Sequence, residues 1–243
     1  MGQPRKEKDA LEAKARAVLT YLKSGIRYDP GHLPRPFMLE FTGSPSAGKT
    51  TTITELDKFL RRQGLRVLRP QEGAEVVRHI ERTSPLYNIR TGLYALEMLI
   101  DISHGHLYDV VIFDRCIFDA YCWMEYWFEK GQLSESEKND IQSLFLSRFF
   151  TDKLDAIYFM VADTDAAMER EMRIALSTKF GETTNPKTVE TLVTRYRTVY
   201  ERLAPAYSQL VLVDTSSMSE EAMVLDIARR VMETLYKKAK SGH

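Results

Sequence analysis

One eight-residue segment constrains the fold of this chain more than any other. It matches the phosphate-binding pattern G-x-x-x-x-G-K-[ST] and reads Gly43-Ser44-Pro45-Ser46-Ala47-Gly48-Lys49-Thr50. An apolar run from Phe37 to Thr42 stands directly before it, and a helical pattern begins at its end. Because a strand that runs through a glycine-rich loop into a helix is the first half of a βαβ unit, this segment predicts a parallel α/β fold.

Strand-like apolar runs alternate with longer helical patterns along the rest of the chain. Several runs are unbroken, such as Val110-Val111-Ile112-Phe113, which is typical of strands covered by helices on both faces. The predicted strands are Phe37 to Thr42, Leu65 to Arg69, Val110 to Asp114, Ala156 to Val161 and Leu210 to Asp214. The predicted helices lie near 49–63, 91–106, 116–130, 134–150, 163–175, 187–208 and 219–239. We therefore expect a three-layer α/β/α fold with a five-stranded parallel sheet.

The first 36 residues differ from the rest. A charged, alanine-rich helical pattern is followed by Gly31 and several prolines, so we predict an N-terminal helical extension at 1–36 before a catalytic domain at 37–243. The extension either packs on the outside of the core or acts as a partner-binding or lid element.

The overall charge and the apolar content argue against some classes of partner. Lysine plus arginine equals aspartate plus glutamate at 34 each, so no overall field attracts nucleic acid or a membrane surface. No apolar run approaches the roughly 18 residues of a membrane span, and the N-terminus is too charged for a signal peptide. A disulfide between Cys116 and Cys122 is not expected, because a helix would turn them to different faces. We expect a soluble cytoplasmic chain.

The glycine-rich segment predicts ATP and Mg²⁺ as ligands. Gly43 and Gly48 would let the backbone turn its N–H groups and the positive end of the next helix toward phosphates. Lys49 would bind the β- and γ-phosphates, Thr50 would offer its hydroxyl to Mg²⁺, and Thr51 would lie near the α-phosphate. The expected nucleotide-binding residues of this segment are Gly43, Ser44, Pro45, Ser46, Ala47, Gly48, Lys49, Thr50 and Thr51.

Charged side chains follow two other predicted strands. Asp114, at the end of the third strand, is expected to bind Mg²⁺ beside the loop, and the adjacent Arg115 is placed to contact phosphate. Glu72 follows the second strand and is a candidate general base for an acceptor hydroxyl. The alternative for Glu72 is a solvated loop acid.

Together these motifs resemble the thymidylate kinase and deoxynucleoside kinase superfamily of P-loop kinases over residues 37–236. The segment Asp114-Arg115-Cys116-Ile117-Phe118-Asp119-Ala120-Tyr121 is similar to the Glu-Arg-Ser segment of deoxynucleoside kinases and the Asp-Arg-Tyr segment of thymidylate kinases. The resemblance implies a P-loop kinase fold and often a homodimer. It also implies an arginine-bearing lid around 168–187, matched by Arg170 and Arg173, and a loop near the adenine, matched by Asp214, Thr215 and Ser216.

Alternatives remain for the lid. Arg170 and Arg173 share one helix face and could stabilise transferred phosphate, or could belong to a solvated charged face. Arg195 and Arg197 are expected to be surface or lid-supporting residues.

The acceptor is the least constrained feature. The predicted helix at 91–106 lacks the arginine by which thymidylate kinases bind their acceptor phosphate, although other arginines lie nearby. Residues that could bind the acceptor are Arg78, Arg82, Arg90, Tyr87, Tyr94, Glu97, Phe118 and Trp123. The aromatic cluster in the following helix is expected to form core or a dimer interface.

The resemblance implies an ATP- and Mg²⁺-dependent phosphotransferase acting on a small nucleoside or nucleotide. Two other functions stay open. One is the same chemistry on a polynucleotide 5′-hydroxyl or another small alcohol; the other is an ATP-binding switch or assembly protein with slow hydrolysis.

Overall fold

A computed structural model of the chain describes residues 3–23, 36–105, 107–174 and 185–241. Its strands are β1 (Phe37–Gly43), β2 (Val67–Leu68), β3 (Val110–Asp114), β4 (Ala156–Val161) and β5 (Leu210–Asp214). Its helices are α1 (Gln3–Lys23), α2 (Lys49–Arg62), α3 (Gly73–Val76), α4 (Pro85–Ile102), α5 (Ile117–Glu129), α6 (Glu135–Phe145), α7 (Arg148–Thr151), α8 (Thr164–Ile174), α9 (Pro186–Leu203) and α10 (Glu220–Ser241).

The five strands form one parallel sheet in the order β2-β3-β1-β4-β5. Strand β1 lies in the centre, where Phe41 pairs with Asp114 of β3 and Gly43 pairs with Met160 of β4. The order of connections reverses on either side of β1. In open α/β sheets, ligands bind beyond the carboxyl ends of the strands at such a point.

Helices cover both faces of the sheet. On one face α2 contacts β1, β2 and β3 and packs against α10, while on the other α5 contacts β1 and α9 contacts β4 and β5. All residues of β1 and β4 are buried, as the unbroken apolar runs predicted. The expected α/β/α class with a five-stranded parallel sheet is therefore confirmed.

The extension begins with a helix that belongs to the same apolar core. Helix α1 packs against α10, and its Ala15 and Val18 are fully buried. Lys8 pairs with Glu221 of α10 at 2.5 Å. Residues 24–35, which connect the extension to β1, lie outside the described residues.

Several element bounds differ from expectation. Helix α9 ends at Leu203 rather than near 208, and the short helix α3 is not among the expected helices. The second strand is two residues long, because only Val67 and Leu68 pair with β3. Helix α4 begins at Pro85 rather than near 91, since the Ser84 hydroxyl accepts a hydrogen bond from the Leu86 N–H and Pro85 occupies the first turn. The helix expected at 134–150 is two helices, α6 and α7.

Across the described segments, no helix combines the length and apolar character that crossing a membrane requires.

Candidate active site

The loop between β1 and α2 has a backbone that depends on its two glycines. Gly43 and Gly48 have φ values of 136° and 86°, in the region that L side chains rarely adopt. A Cβ on Gly43 would meet the Met160 carbonyl oxygen at 1.8 Å. The loop therefore begins in close contact with the backbone of β4, and it leads into the N-terminus of α2.

Lys49 is folded onto this loop. Its Nζ donates to the carbonyl oxygens of Gly43 and Ser44, at 3.0 and 2.6 Å. Burial, together with the positive charge of Arg115, lowers the pKa of Lys49 to about 7. An anion placed in the loop would favour the charged form and offer Nζ a stronger acceptor than a carbonyl.

Thr50 and Asp114 bring two oxygens together at the mouth of the loop. The Thr50 hydroxyl lies 3.5 Å from Oδ2 of Asp114, which ends β3. Hydroxyl and carboxylate oxygens are ligands that Mg²⁺ prefers, so Thr50 and Asp114 fit the expected metal site.

Arg115 is held in a left-handed conformation, with φ of 67°. Its Nη1 donates to Oδ1 of Asp119 at 2.7 Å, and Nε lies 3.3 Å from Oε1 of Glu72. Non-glycine residues in this region are uncommon and concentrate at functional sites, so the surroundings of Arg115 stabilise a backbone that it would not adopt alone.

Asp119 is the centre of a buried hydrogen-bond network around Arg115. Its Oδ1 also accepts from the hydroxyls of Thr42 at 2.6 Å and Tyr196 at 2.8 Å. This network joins β1, α5 and α9, and it fixes where the guanidinium of Arg115 points.

Glu40, within β1, holds the start of α5 close to this network. Its carboxylate is fully buried in β1 and accepts from the backbone N–H groups of Cys116, Phe118 and Asp119, at 3.0, 3.2 and 2.9 Å. It therefore caps the N-terminus of α5 from another element. Burial raises the pKa of Glu40 to about 8, although the three N–H donors act to lower it.

Glu72 is half-buried beside Arg115. Burial raises the pKa of its carboxyl above the ordinary value, while the Arg115 charge acts in the opposite direction. A carboxylate with a raised pKa is a better proton acceptor near neutral pH than a solvated one.

Arg170 connects three parts of the cleft that contains the glycine-rich loop. Its guanidinium donates to the carbonyl of Ser46 at 3.2 Å, to the hydroxyl of Thr215 at 3.0 Å, and to the carbonyl of Met218 at 3.3 Å. Arg173, one helical turn further along α8, lines the same cleft. Residues 175–184 of the expected lid lie outside the described residues.

The three residues of the expected adenine loop have different environments. Ser216 lines the cleft, whereas Thr215 is buried and its hydroxyl donates to the Ala47 carbonyl at 3.1 Å. Asp214 is exposed and pairs with Arg197 at 2.5 Å. Thr215 and Asp214 therefore hold the loop, and Ser216 is the one of the three that lines the cleft.

Two cavities meet at the Glu72–Arg115 pair. The larger, of about 740 Å³, contains the phosphate loop and the cleft to Ser216, Met218 and Arg173. The smaller, of about 180 Å³, lies between α3, α4 and α5. Its lining includes Arg82, Tyr87, Asn88, Thr91, Asp119 and Trp123. Glu72 and Arg115 line both.

Several acceptor-site candidates occupy other places. Phe118 is fully buried in the core against Phe159, and Glu97 is exposed, so neither lines the smaller cavity. Arg195, expected to be a surface or lid-supporting residue, is not at the surface: it is 6% exposed, pairs with Glu129 and lies over the Tyr126 ring. The apolar environment of α9 explains this correction, since the other residues on that face are buried.

Sequence reasoning missed Asp119, Tyr196 and Glu40. Asp119 had a local signal, because it stands four residues after Arg115 and a helix brings such pairs together. Glu40 is a charged residue inside an apolar strand, a pattern that indicates a buried carboxylate with specific partners. No pattern in the sequence around Tyr196 indicates that it belongs to the site.

Comparisons with known proteins bear on the family and the fold of this chain. A family model described as an AAA domain matches residues 39–202. A search of curated proteins gave no match. Similar solved structures include deoxyadenosine kinase from M. mycoides with bound dCTP, at a TM-score of 0.57 and 16% identity, covering 80% of this chain and 98% of that chain.

Two further structures of the M. mycoides deoxyadenosine kinase also match at 16% identity and over 80% of this chain. One, with bound dATP, has a TM-score of 0.54 and is covered over 99% of its length. The other, with products dCMP and a flexible dCDP, has a TM-score of 0.56 and is covered over 98%. At this identity the likeness concerns the fold, and it confirms the expected P-loop nucleoside kinase architecture.

Proposed function

Because the chain belongs to the AAA-domain family and has the fold of a P-loop nucleoside kinase, we propose that it transfers the γ-phosphoryl group of ATP to a hydroxyl of a nucleoside. The larger cavity takes ATP, and the smaller cavity takes the acceptor. The proposal also takes residues 37–243 as the kinase domain and 168–187 as its lid.

One observation carries this proposal. Two cavities meet at the ion pair of Glu72 and Arg115. Glu72 and Arg115 line both the cleft of the phosphate loop and the cavity between α3, α4 and α5. A phosphoryl transfer needs donor and acceptor in line on opposite sides of the transferred group. A protein that only hydrolyses ATP has no need for a second lined cavity at this point.

The proposed reaction assigns a role to each charged group. The acceptor hydroxyl gives its proton to the Glu72 carboxylate as its oxygen bonds to the γ-phosphorus. The bond from that phosphorus to the β–γ bridging oxygen breaks, and ADP leaves. Lys49, Arg115 and Arg173 stabilise the negative charge that spreads over the phosphoryl oxygens.

Two other groups organise the nucleotide. Arg170 holds the phosphate loop against the segment at 215–218 through its contacts with Ser46 and Thr215. Thr50 and Asp114 would bind Mg²⁺, which when present neutralises charge on the β- and γ-phosphates.

The lining of the smaller cavity favours a nucleoside over a nucleotide acceptor. Tyr87 and Trp123 offer aromatic surface to a flat base, and Asn88 offers its amide. Asn88 Oδ1 accepts from Trp127 Nε1 at 2.8 Å, which leaves the amide NH₂ as a donor for the acceptor. Besides Arg115, Arg82 is the one cation among the described lining residues, and it is exposed.

ATP-to-ADP conversion with Mg²⁺ against nucleosides, nucleoside monophosphates, a simple alcohol and a 5′-hydroxyl oligonucleotide tests this proposal. We expect turnover that depends on one or more nucleosides and is much slower without an acceptor. Equal, slow ADP formation with every addition would contradict it and would favour the ATP-binding switch.

A further inference from the structure

The phosphate loop contains a serine in a backbone conformation that serines rarely adopt. Ser46 has φ of 54°, and within the described parts of the chain Arg115 is the only other non-glycine residue with a positive φ. The sequence pattern of the loop allows any residue at this position, and a glycine would adopt the same conformation without strain. The strained backbone of Ser46 therefore requires contacts that hold it in place.

Helix α8 provides such contacts on both sides of Ser46. Arg170 donates to the Ser46 carbonyl oxygen at 3.2 Å, and the Ser46 hydroxyl donates to Oε2 of Glu171 at 3.0 Å. Two adjacent residues of one helix thus hold a single residue of the loop. Because Ser46 and Glu171 are 125 positions apart in the chain, no local sequence pattern indicates their contact.

The left-handed conformation has a direct use in binding phosphate. A segment that contains left-handed residues turns successive backbone N–H groups to one side and forms a concavity for an anion. Ser46 and Gly48 are both left-handed, with φ values of 54° and 86°. If Ser46 relaxed to the conformation that serines prefer, its neighbouring N–H groups would turn away and part of this concavity would be lost.

Glu171 reaches the larger cavity through the loop and not directly. The residues of α8 that line this cavity are Ala166, Glu169, Arg170 and Arg173. Among the described residues, the Ser46 hydroxyl is the hydrogen-bond partner of the Glu171 carboxylate. A hydrogen bond to a charged acceptor is stronger than one between neutral groups, so this contact is suited to offset backbone strain.

We propose that Glu171 is a positioning residue for the phosphates of ATP. By accepting the hydrogen bond from the Ser46 hydroxyl, its carboxylate stabilises the loop conformation that presents N–H groups to the nucleotide. This role rests on the proposed binding of ATP by the loop, and it does not depend on which acceptor is used.

Titration of the full chain with ATP and Mg²⁺, without an acceptor, tests the role of Glu171. We expect Glu171→Ala to weaken ATP binding by about tenfold, because it removes a hydrogen bond to a charged group. Glu171→Gln keeps an acceptor oxygen and should weaken binding less. Because the contact serves binding, Glu171→Ala should raise KM for ATP and leave kcat nearly unchanged. Asp165→Ala, at an exposed acid of the same helix, is the control. Wild-type affinity in Glu171→Ala would overturn the proposal.

Two substitutions of Ser46 separate the hydrogen bond from the backbone conformation. Ser46→Ala removes the hydroxyl and keeps the strain, so it should weaken ATP binding as much as Glu171→Ala does. Ser46→Gly allows the left-handed conformation without a partner and should bind ATP nearly as well as the wild type. In the Ser46→Gly background, Glu171→Ala should have no further effect. Equal losses in Ser46→Ala and Ser46→Gly would contradict the proposed role.

Hydrogen exchange of the ligand-free protein distinguishes failure of this inference from failure of the proposed function. Backbone N–H groups at 44–49 should exchange faster in Glu171→Ala than in the wild type or in Asp165→Ala. Unchanged exchange would overturn the positioning role, whether or not ATP binds. Faster exchange in Glu171→Ala, together with a wild type that binds no ATP, would support the contact with the loop and contradict the proposed function.

Discussion

Glu72 is the proposed general base, so removing its charge tests the proton-transfer step of the proposed reaction. We expect Glu72→Gln to lower kcat by about a hundredfold to ten-thousandfold, because the amide cannot take the hydroxyl proton. The affinity for ATP should change little. Steady-state kinetics and nucleotide-binding titration measure the two effects. Glu75→Gln is the matched control, since Glu75 is an exposed acid on the short helix α3, which begins directly after Glu72. Full activity in Glu72→Gln would remove the residue from the mechanism.

Lys49 is the cation of the phosphate loop. Lys49→Ala should lower turnover by at least about a thousandfold and leave the fold intact, because Nζ contacts the carbonyls of the loop and, in the proposed reaction, stabilises charge on the phosphates. Lys58→Ala, an exposed change on the same helix, serves as the control. Circular dichroism verifies the fold of both variants, and unchanged activity of Lys49→Ala would refute the assignment.

The raised pKa of Glu40 predicts how the stability of the protein depends on pH. Its folded pKa of about 8 lies above the ordinary value of 4.5, so between these values the folded state holds one proton more than the unfolded state. The free energy of unfolding therefore falls as pH rises through this window and levels off above it, by up to about 1.4 kcal/mol per pH unit from this group. Glu40→Gln lacks this contribution.

Denaturant unfolding of both proteins at several pH values measures the difference. We expect the stability of the wild type relative to Glu40→Gln to decrease from pH 5 to pH 8. Parallel pH profiles would show that the folded pKa of Glu40 is not raised.

At the scale of the element, local sequence predicted the central strands and missed features that depend on neighbours. The bounds of β3 and β4 agree with the apolar runs, since strands buried on both faces are apolar throughout. The edge strand β5 also has the expected bounds, although it is only partly buried. Strand β2 is shorter than its run, because only Val67 and Leu68 pair with β3. The start of α4 was missed although Ser84 and Pro85 form a helix-start signal.

Helix α1 should behave as part of the core. Val18 is fully buried, so Val18→Ala should lower the free energy of unfolding by about 1–3 kcal/mol in a single cooperative transition. Val76→Ala, at a residue 37% exposed, should have a much smaller effect. Urea denaturation of both variants tests this. Equal stabilities would indicate that α1 contributes little to the fold.

At the scale of the whole molecule, the sequence located the parts of the site that are contiguous in the chain. The phosphate loop and the pair Asp114-Arg115 are local patterns at strand ends, and parallel strands bring their ends to one edge. The network on Asp119 could not be found this way, because Thr42 and Tyr196 are each 77 residues from it. The acceptor cavity likewise combines residues from α3, α4 and α5.

The fate of the γ-phosphoryl group tests the central claim most directly. With ATP labelled at the γ-phosphate, Mg²⁺ and a nucleoside, we predict that the label appears in a nucleoside monophosphate, and that Glu72→Gln slows this transfer while Glu75→Gln does not. Label that appears only as inorganic phosphate, at a rate independent of the nucleoside, would contradict the account.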